Sequence, residues 1–280
     1  MKDAFFSVII PTLNEEDYLP KILSDFTKQR QKNFSVYVVD AVSQDRTRRR
    51  ALKFSKFYPL EFYTVKKQNV SYQRNFGAQK AKGEYLLFLD ADARINTIFT
   101  ENLYKNILKK KEPLFLPTLI TEERSSKNKV LFGLLNYAIE LSQSLTKPLS
   151  AGGSIFLSKK LFSDLNGFRE NLYMSEDHDL IQRARKMGVK AKILKDVKVA
   201  FSLRRVEKEG QVMVLYKYLL VLAYMLVNEE VTSKIFMYEM GGDKYKNLKL
   251  GEKKRSFKGE AARLHKLFKK TSAFLMDSLS

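Results

Sequence analysis

The chain contains no cysteine, and only two of its 280 residues are histidines, His178 and His265. The absence of cysteine excludes disulfides and thiolate metal sites, and it is compatible with a reducing compartment. Two histidines are too few for a zinc site that is built from several imidazoles. A bound metal should therefore be a hard cation such as Mg²⁺ or Mn²⁺, held by carboxylate oxygens.

The sequence also has no apolar run long enough to predict a membrane span. Residues 212–227 form an apolar stretch of sixteen residues with Lys217 inside it, whereas a bilayer-crossing helix needs about 20. We expect either an interfacial helix with tyrosines at the headgroup level, or a helix buried in a core or a dimer interface. No secretory signal is expected, because a strand begins by residue 5.

Acidic residues are in the minority: 31 stand against 51 basic ones, for a net charge of +20. A field of this sign attracts polyanions, including nucleic acid, anionic lipid headgroups and sugar nucleotides. Residues 244–270 carry eleven basic side chains against Glu252 and Glu260. This tail is either a solvated segment or an adhesion site for an acidic membrane.

Apolar runs of strand length recur in the first 90 residues and alternate with helical patterns. The runs are residues 5–10, 34–39, 60–65 and 85–89. Between the first two, four apolar residues fall at helical spacing: Leu19, Ile22, Leu23 and Phe26. We expect Asn14 to cap this helix, with acidic residues in its first turn. Strand–helix alternation of this kind predicts βαβ units and a parallel sheet.

Polar residues follow these strands where they end. Asp90 and Asp92 come directly after the fourth run, and Asp40 ends the second, with Ser43, Asp45 and Thr47 just beyond. Ligands of open α/β sheets bind at the carboxyl ends of strands, and an Asp-x-Asp pair can bind a divalent cation. The alternative for Asp90 and Asp92 is an Asx turn that closes the strand. The positions favour a nucleotide site.

Seven ordered motifs resemble the family 2 glycosyltransferases, which have the GT-A fold. They are residues 8–15, 38–47, 74–77, 89–93, 152–154, 167–169 and 176–180. The resemblance implies an α/β, Rossmann-like, mostly parallel sheet flanked by helices. We expect a catalytic domain at residues 1–207 and a C-terminal helical extension at 208–280. One departure is Arg46, where the family usually has glycine in the second loop.

The resemblance also assigns roles to individual residues. It implies that Asp92 is a direct metal ligand, with Asp90 facing the ribose or the waters of the metal. It implies that Asp40 reads the base edge and that Arg74 lies nearer the diphosphate. The expected lining of the nucleotide pocket is Pro11, Thr12, Asn14 and Glu15. Any of these could instead cap an element.

The candidate general base is Asp177, which the resemblance implies and helix geometry supports. At 100° per residue, Asp177 falls in the middle of a face formed by Leu180, Ile181, Ala184 and Met187, while His178 and Asp179 swing away. Desolvation there should raise the proton affinity of the carboxylate, against the helix dipole. Such a group suits a general base. The alternative is that Asp177 only caps its helix.

Two further candidates contact the donor in this interpretation. Gly153 is consistent with a close approach of the backbone to the donor sugar, or with a tight turn. Arg204 and Arg205 could clamp phosphate oxygens bidentately, or form a solvated pair.

We expect a metal-dependent, inverting transferase that uses a UDP or GDP sugar. The chain has no tryptophan and so lacks the Gln-x-x-Arg-Trp motif of processive synthases, which points to transfer of a single sugar. The preferred acceptor is lipid-linked, at the cytoplasmic face of a membrane, and no specific nucleic acid is expected.

Two alternatives remain. One is an inactive transferase fold whose basic surface binds membrane or nucleic acid. The other is a sugar-phosphate nucleotidyltransferase, which would need a glycine-rich loop that residues 11–15 lack.

Overall fold

In the computed structural model of the chain, residues 4–122 and 126–202 are described, without the side chains of residues 126–128. The described residues form eight strands and seven α-helices. The strands are β1 Phe6–Thr12, β2 Phe34–Asp40, β3 Leu60–Thr64, β4 Tyr85–Phe88, β5 Arg94–Ile95, β6 Leu114–Thr121, β7 Ile155–Ser158 and β8 Lys192–Phe201. The helices are α1 Leu19–Thr27, α2 Thr47–Ala51, α3 Val70–Lys80, α4 Phe99–Lys110, α5 Ser126–Ser142, α6 Lys159–Asp164 and α7 Glu176–Lys186.

All eight strands join one sheet in the order β3-β2-β1-β4-β7-β6-β8-β5. The four strands that the apolar runs predict are parallel to one another, as expected. The other half is mixed, because β7 runs antiparallel to both β4 and β6, and β5 runs antiparallel to β8. The predicted α/β sheet is confirmed, and its parallel part is the half that carries the predicted nucleotide loops.

The centre of the sheet is buried on both faces, which explains the continuous apolar runs. Every residue of β1 is buried. Val8 and Ile10 pack into one apolar cluster with the buried side of α1, whereas Ile9 packs into a second cluster with residues of α3 and α7. Alternate side chains of a single strand therefore hold helices on opposite faces.

Helix α1 buries the four predicted apolar residues completely, but it begins later than expected. Its N-cap is Tyr18, without a side-chain capping bond, and Pro20 lies in its first turn. Asn14 is not the cap: its φ of 53° places it in a left-handed turn four residues earlier. The prediction that Asn14 caps α1 is therefore wrong. Asparagine tolerates this conformation better than most residues do.

Helix α3 lies unusually close to the sheet because of Gly77. A Cβ at this position would come within 2.6 Å of Ile9 Cγ2 on β1. Only glycine permits this approach. The short distance between α3 and the sheet in turn sets where the other side chains of α3 lie at the edge of the sheet.

No helix in residues 4–122 and 126–202 has the length and the apolar character that crossing a membrane requires. The predicted apolar stretch 212–227, the basic tail, the domain boundary at 207 and the extension 208–280 lie outside the described residues. Arg204 and Arg205 lie outside them as well.

Candidate active site

The carboxyl ends of the parallel strands meet at one edge of the sheet, as predicted. Thr12 at the end of β1 lies opposite Asp40 at the end of β2, and Asp40 lies opposite Thr64 at the end of β3. On the other side of β1, Leu89 donates its N–H to the carbonyl of Ile9 at 3.2 Å. Asp90 therefore emerges at the same edge.

The carboxylate of Asp40 is held by its neighbours. Thr12 Oγ1 donates to Asp40 Oδ1 at 3.1 Å, and the backbone N–H of Ser43 donates to Asp40 Oδ2 at 2.9 Å. The Ser43 hydroxyl also donates to Asp40 Oδ1. Thr12 and Asp40 are both buried, with 3% exposure each. These contacts orient Asp40 at the strand ends where the base edge was predicted to lie.

The loops after β1 and β2 are joined by a ladder of hydrogen bonds, and we call these two segments, residues 12–16 and 40–47, the nucleotide-side loops. Side chains of the second loop accept the backbone N–H groups of the first. The bonds are Asn14 N to Ser43 Oγ at 2.7 Å, Glu15 N to Thr47 Oγ1 at 2.9 Å and Glu16 N to Asp45 Oδ2 at 3.1 Å. In return, Asn14 Oδ1 accepts from Gln44 N at 2.8 Å. Asn14 therefore joins the two loops rather than capping a helix.

Arg46 does not need the conformational freedom of glycine. Its φ is −85°, which any residue adopts. Its backbone N–H donates to Glu16 Oε2 at 3.2 Å, and its side chain is largely exposed. The positive φ in this loop lies at Val42 instead. The departure from the family pattern at residue 46 therefore leaves the loop closed by ordinary hydrogen bonds.

Gln73 on α3 is a buried residue that the sequence analysis missed. Its Nε2 donates to the carbonyl of Thr12 at 2.9 Å and to the carbonyl of Val39 at 2.7 Å. It thereby ties α3 to the last residues of both β1 and β2. Only its position next to Arg74 in a recognised motif could have drawn attention to it.

A buried arginine joins the two acidic parts of the site. Arg74 NH2 lies 2.9 Å from Asp90 Oδ1, and Arg74 NH1 lies 2.7 Å from Glu176 Oε1. Burial lowers the pKa of the guanidinium, but the charges of Asp90 and Glu176 outweigh burial and raise it. We call Arg74, Asp90, Glu176 and Asp177 the arginine cluster. The expected contact of Arg74 with a diphosphate stays a prediction, since both of these nitrogens bond protein carboxylates.

Gly153 makes room for this cluster. A Cβ on Gly153 would fall 2.3 Å from Asp90 Oδ1 and 2.5 Å from Arg74 NH2. The preceding Gly152 has a φ of 62°, so the Gly152–Gly153 pair forms a turn. This geometry explains the two glycines of the Gly-Gly-Ser motif without a ligand. The predicted approach of Gly153 to a donor sugar remains a prediction.

Two other recognised motifs bind each other beside the cluster. Asn75 Nδ2 donates to the carbonyl of Phe168 at 2.8 Å, and Phe168 N donates to Asn75 Oδ1 at 2.8 Å. The guanidinium of Arg74 lies over the Phe168 ring, 5.3 Å from its centroid. The Arg-Asn-Phe-Gly and Gly-Phe-Arg motifs therefore form one structural unit that fixes Arg74.

Helix α7 presents Asp177 as predicted, on its buried face with Leu180, Ile181 and Ala184. Met187 is not part of that face, because it lies beyond the last helical residue and is 54% exposed. Asp179 and Arg183 form the predicted i, i+4 pair at 2.8 Å, although the pair is largely buried.

His178 and the pKa of Asp177 differ from expectation. His178 was predicted to swing away, yet its Nδ1 lies 3.0 Å from Asp177 Oδ1. A helical wheel gives only the direction of Cβ, which does not fix where the imidazole ring lies. Burial raises the pKa of Asp177, but the charges of His178 and Arg74 lower it more, so the net shift is downward. The expected upward shift is therefore wrong. Burial lowers the pKa of His178, but the charge of Asp177 raises it by more, so the pKa of His178 is raised overall.

Glu176 has the opposite balance from Asp177. Burial raises its pKa, and the attraction of Arg74 only partly offsets this shift. Neighbouring carboxylates with divergent proton affinities are typical of catalytic sites. Glu176 was not among the predicted site residues, although its place beside Asp177 could have suggested it.

The residues available for a metal ion are few. Asp92 is half-buried and follows Asp90 by two residues, and Asp90 has one oxygen engaged by Arg74. In the part of the chain that the structure describes, no three acidic or histidine side chains cluster closely enough to hold a cation. Mg²⁺ is commonly bound by one or two carboxylates together with substrate phosphates. Asp92 and Asp90 are the carboxylates that a site of that kind would use.

Comparison with known proteins gives consistent results. The family model described as glycosyl transferase family 2 matches residues 7–165. A relative from Methanococcus voltae is a dolichyl N-acetyl-alpha-D-glucosaminyl phosphate 3-beta-D-2,3-diacetamido-2,3-dideoxy-beta-D-glucuronosyltransferase. It is 30% identical over 172 residues, which are 56% of this chain and 49% of that protein. The match thus spans about half of that relative.

Solved structures show the same fold. A mannosyltransferase from Pyrobaculum calidifontis, in complex with GDP-Man and Mn²⁺, superposes with a TM-score of 0.62 at 20% identity, covering 80% of this chain and 62% of that one. Residues 1–349 of TarS from S. aureus, in complex with UDP-GlcNAc, superpose with a TM-score of 0.59 at 22% identity, covering 80% and 66%. The predicted GT-A fold is confirmed.

Proposed function

The chain belongs to glycosyl transferase family 2, and from that premise we propose that it moves one sugar from a nucleotide-diphosphate sugar to an acceptor hydroxyl or phosphate, with inversion. One observation carries the proposal. Arg74 contacts both Asp90, beside the predicted metal ligand, and Glu176, beside the predicted base. Side chains 102 residues apart in sequence therefore share one cluster.

The nucleotide binds at the nucleotide-side loops in this proposal. Thr12 and Asp40 lie side by side at the strand ends, and the backbone of Asn14 and Glu15 is fixed by Ser43 and Thr47. Pro11, Thr12, Asn14 and Glu15 line the pocket, and Asp40 reads the base edge. A UDP or GDP donor is proposed, since related folds have been solved with UDP-GlcNAc and with GDP-Man.

Asp177 acts as the general base. Its lowered pKa makes it a weaker base than a carboxylate with a raised pKa would be, but it keeps the carboxylate ionised and able to accept a proton near neutral pH. Oδ1 lies 3.0 Å from His178 Nδ1. The remaining oxygen, Oδ2, takes the proton from the acceptor hydroxyl as the acceptor oxygen bonds to the anomeric carbon. The bond between that carbon and the diphosphate breaks, and the nucleoside diphosphate leaves. A single displacement of this kind inverts the anomeric centre.

Asp92 binds Mg²⁺ or Mn²⁺ in this proposal, with Asp90 close by. A divalent cation there would supply charge neutralisation for the leaving diphosphate. Arg74 holds Asp90 and Glu176 in place, and Gly153 leaves the space that Asp90 needs beside the donor. Arg204 and Arg205 remain proposed phosphate contacts.

The acceptor and the location are proposed from the sequence. The apolar stretch 212–227 followed by basic residues 244–270 is typical of a peripheral membrane enzyme. We propose a lipid-linked acceptor at the cytoplasmic face of a membrane. The M. voltae relative carries dolichyl phosphate in its name, which agrees with such an acceptor.

A donor panel tests the proposal. UDP-, GDP- and dTDP-sugars are added to the full chain with and without Mn²⁺, and thermal stabilisation and sugar hydrolysis are measured. We expect one nucleotide class to raise the melting temperature only when Mn²⁺ is present. The Asp92→Asn variant should lose that metal-dependent rise. Without donor and metal, its melting temperature should equal that of the wild type.

The matched control is Asp164→Asn, because Asp164 is a surface carboxylate paired with Lys160. It should respond to donor and metal as the wild type does. If Asp92→Asn also responds like the wild type, Asp92 is not the metal ligand. If no donor is stabilising under any condition, the proposed transfer itself fails.

A further inference from the structure

Helix α5 turns most of its apolar side chains outward. Val130, Leu134, Tyr137 and Leu141 lie at i, i+4, i+7 and i+11, within a narrow stripe on one side of the helix. Each of them is about 60% exposed. Leu131 and Leu135 flank the stripe, and Leu145 follows just beyond the helix; all three are exposed. We call these seven side chains the α5 stripe, and we propose that it docks onto an anionic lipid bilayer.

The inward side of α5 packs Phe132 and Ile139 into the core and is otherwise polar. Asn136 donates to the carbonyl of Leu119 and accepts from Leu119 N, both at 2.8 Å. Ser142 and Gln143 are buried and bond backbone groups at the end of the helix. An ordinary surface helix buries its apolar side and exposes its polar side. In α5 the exposed apolar side chains outnumber the buried ones, so the stripe is available to an apolar surface outside the described fold.

The charge of the chain favours a lipid surface over a second copy. Each chain carries +20, so two copies repel each other, whereas anionic headgroups attract the chain. Lys129, at the first turn of the stripe, is exposed. Glu140, on the flank, is paired with Lys195 at 3.2 Å. Tyr137 adds an aromatic ring with a polar tip, which suits the headgroup level.

The α5 stripe is connected to the candidate active site through the backbone. Arg185 on α7, the helix of Asp177, donates Nε–H to the carbonyl of Leu145 at 3.3 Å. Gly153, which abuts Asp90 and Arg74, follows Leu145 by eight residues. A bilayer under the stripe would therefore lie beside elements that carry the site. Docking of the stripe would bring a lipid-linked acceptor in the bilayer to the site. This consequence rests on the proposed function, whereas the docking itself does not.

Tryptophan fluorescence gives a direct test, because the chain has no tryptophan of its own. The Leu134→Trp variant places a single indole in the stripe. Its control, Leu108→Trp, places one on α4 at an exposed leucine with similar accessibility. Vesicles of phosphatidylcholine with phosphatidylglycerol are added to each full-length variant without any donor. We expect a blue shift for Leu134→Trp, quenching by brominated lipid, and neither effect for Leu108→Trp.

A second experiment measures how much the α5 stripe contributes to the affinity for vesicles. Vesicle co-sedimentation is done in about 1 M salt, where the Debye length is about 3 Å and headgroup attraction to basic segments is screened. The double variant Leu134→Ser/Leu141→Ser should lower the binding that remains by about tenfold or more. The control Leu52→Ser/Leu108→Ser, at exposed leucines elsewhere, should leave it unchanged.

Three results would overturn the proposal. One is vesicle binding with no blue shift at residue 134. Another is equal binding by both double variants. The third is a blue shift that depends on protein concentration and not on lipid, which would assign the stripe to a second copy. The donor panel is scored without lipid, so failure there leaves these readouts intact and concerns only the transferase function.

Discussion

The two halves of the candidate site are held together by different interactions. In the nucleotide-side loops, hydroxyl and carboxylate side chains accept backbone N–H groups from a loop about 30 residues away. In the arginine cluster, one buried guanidinium is paired with carboxylates 16 and 102 residues away. The first half distributes its stability over many modest bonds, whereas the second concentrates it in a few buried charges.

This difference predicts how each half responds to change. One hydrogen bond makes a net contribution of about 0.5–1.5 kcal/mol to the free energy of unfolding, so the loops should tolerate the loss of a single bond. Removing one partner of a buried ion pair leaves an uncompensated charge at a cost of about 3–5 kcal/mol. The cluster should also respond to pH through its titrating members. The predictions below are ordered by expected effect.

The largest effect is expected for Arg74→Met, which leaves Asp90 and Glu176 without their cation. The free energy of unfolding, measured by urea denaturation, should fall by about 3–5 kcal/mol. The control is Lys160→Met, because Lys160 pairs with Asp164 at 2.8 Å in an exposed position, where loss costs at most about 1 kcal/mol. Equal losses for the two variants would erase the distinction between the halves.

A pH-dependent effect is expected for His178→Asn. The folded pKa of His178 is raised, so its pairing with Asp177 stabilises the fold fully below the unfolded pKa of about 6.5, and this contribution disappears as pH rises through the folded value. The lowered pKa of Asp177 keeps its half of the pair charged until pH falls well below its usual range. The substitution should cost about 1.5–3 kcal/mol at about pH 5 and clearly less at about pH 9.

The measurement is a pair of urea titrations at the two pH values, with the difference between wild type and variant compared. A cost that is the same at both values would mean that the charge on His178 does not stabilise the cluster.

The close approach at Gly153 should give an intermediate effect. In Gly153→Ala, the new Cβ would lie 2.3 Å from Asp90 Oδ1, so the Arg74–Asp90 pair must shift, at about 1–3 kcal/mol. Gly133→Ala is the control, since nothing lies within 4 Å of its added Cβ and alanine favours the helix by about 0.5–1 kcal/mol. Thermal unfolding of both variants checks the contrast; opposite signs are expected.

The smallest effect is expected in the nucleotide-side loops. Ser43→Ala removes the acceptor of Asn14 N and one donor to Asp40. Because Asn14 and Ser43 are half-buried and the buried Asp40 keeps its bonds from Thr12 Oγ1 and Ser43 N, the free energy of unfolding should fall by about 0.5–1.5 kcal/mol. Urea denaturation measures it. A loss as large as that of Arg74→Met would show that the loops, too, depend on a single interaction.

The sequence predicted the parts of the fold that local pattern controls. Continuous apolar runs gave β1 to β4, and the 3.6-residue period placed Asp177 on the buried face of α7. The mixed half of the sheet was not predicted, because strand direction in β7 depends on a return of the chain that no local pattern records. Met187 was misplaced because α7 ends one residue before it.

The site was predictable as a set of positions but not as a set of contacts. Thr12, Asp40 and Asp90 follow from strand ends. The bonds of Arg74 do not, because its partners come from β4 and α7 and meet it only in the folded chain. The proton affinity of Asp177 was misjudged for the same reason. Burial could be read from periodicity, whereas the neighbouring cations could not.

The most direct test is to measure donor binding and sugar transfer together in the Asp177→Asn variant. The account predicts that the donor dissociation constant is unchanged while the transfer rate falls by about 10²–10⁴-fold, because a positioned general base contributes that much. Asp164→Asn should match the wild type in both. Transfer at the wild-type rate by Asp177→Asn would contradict the account.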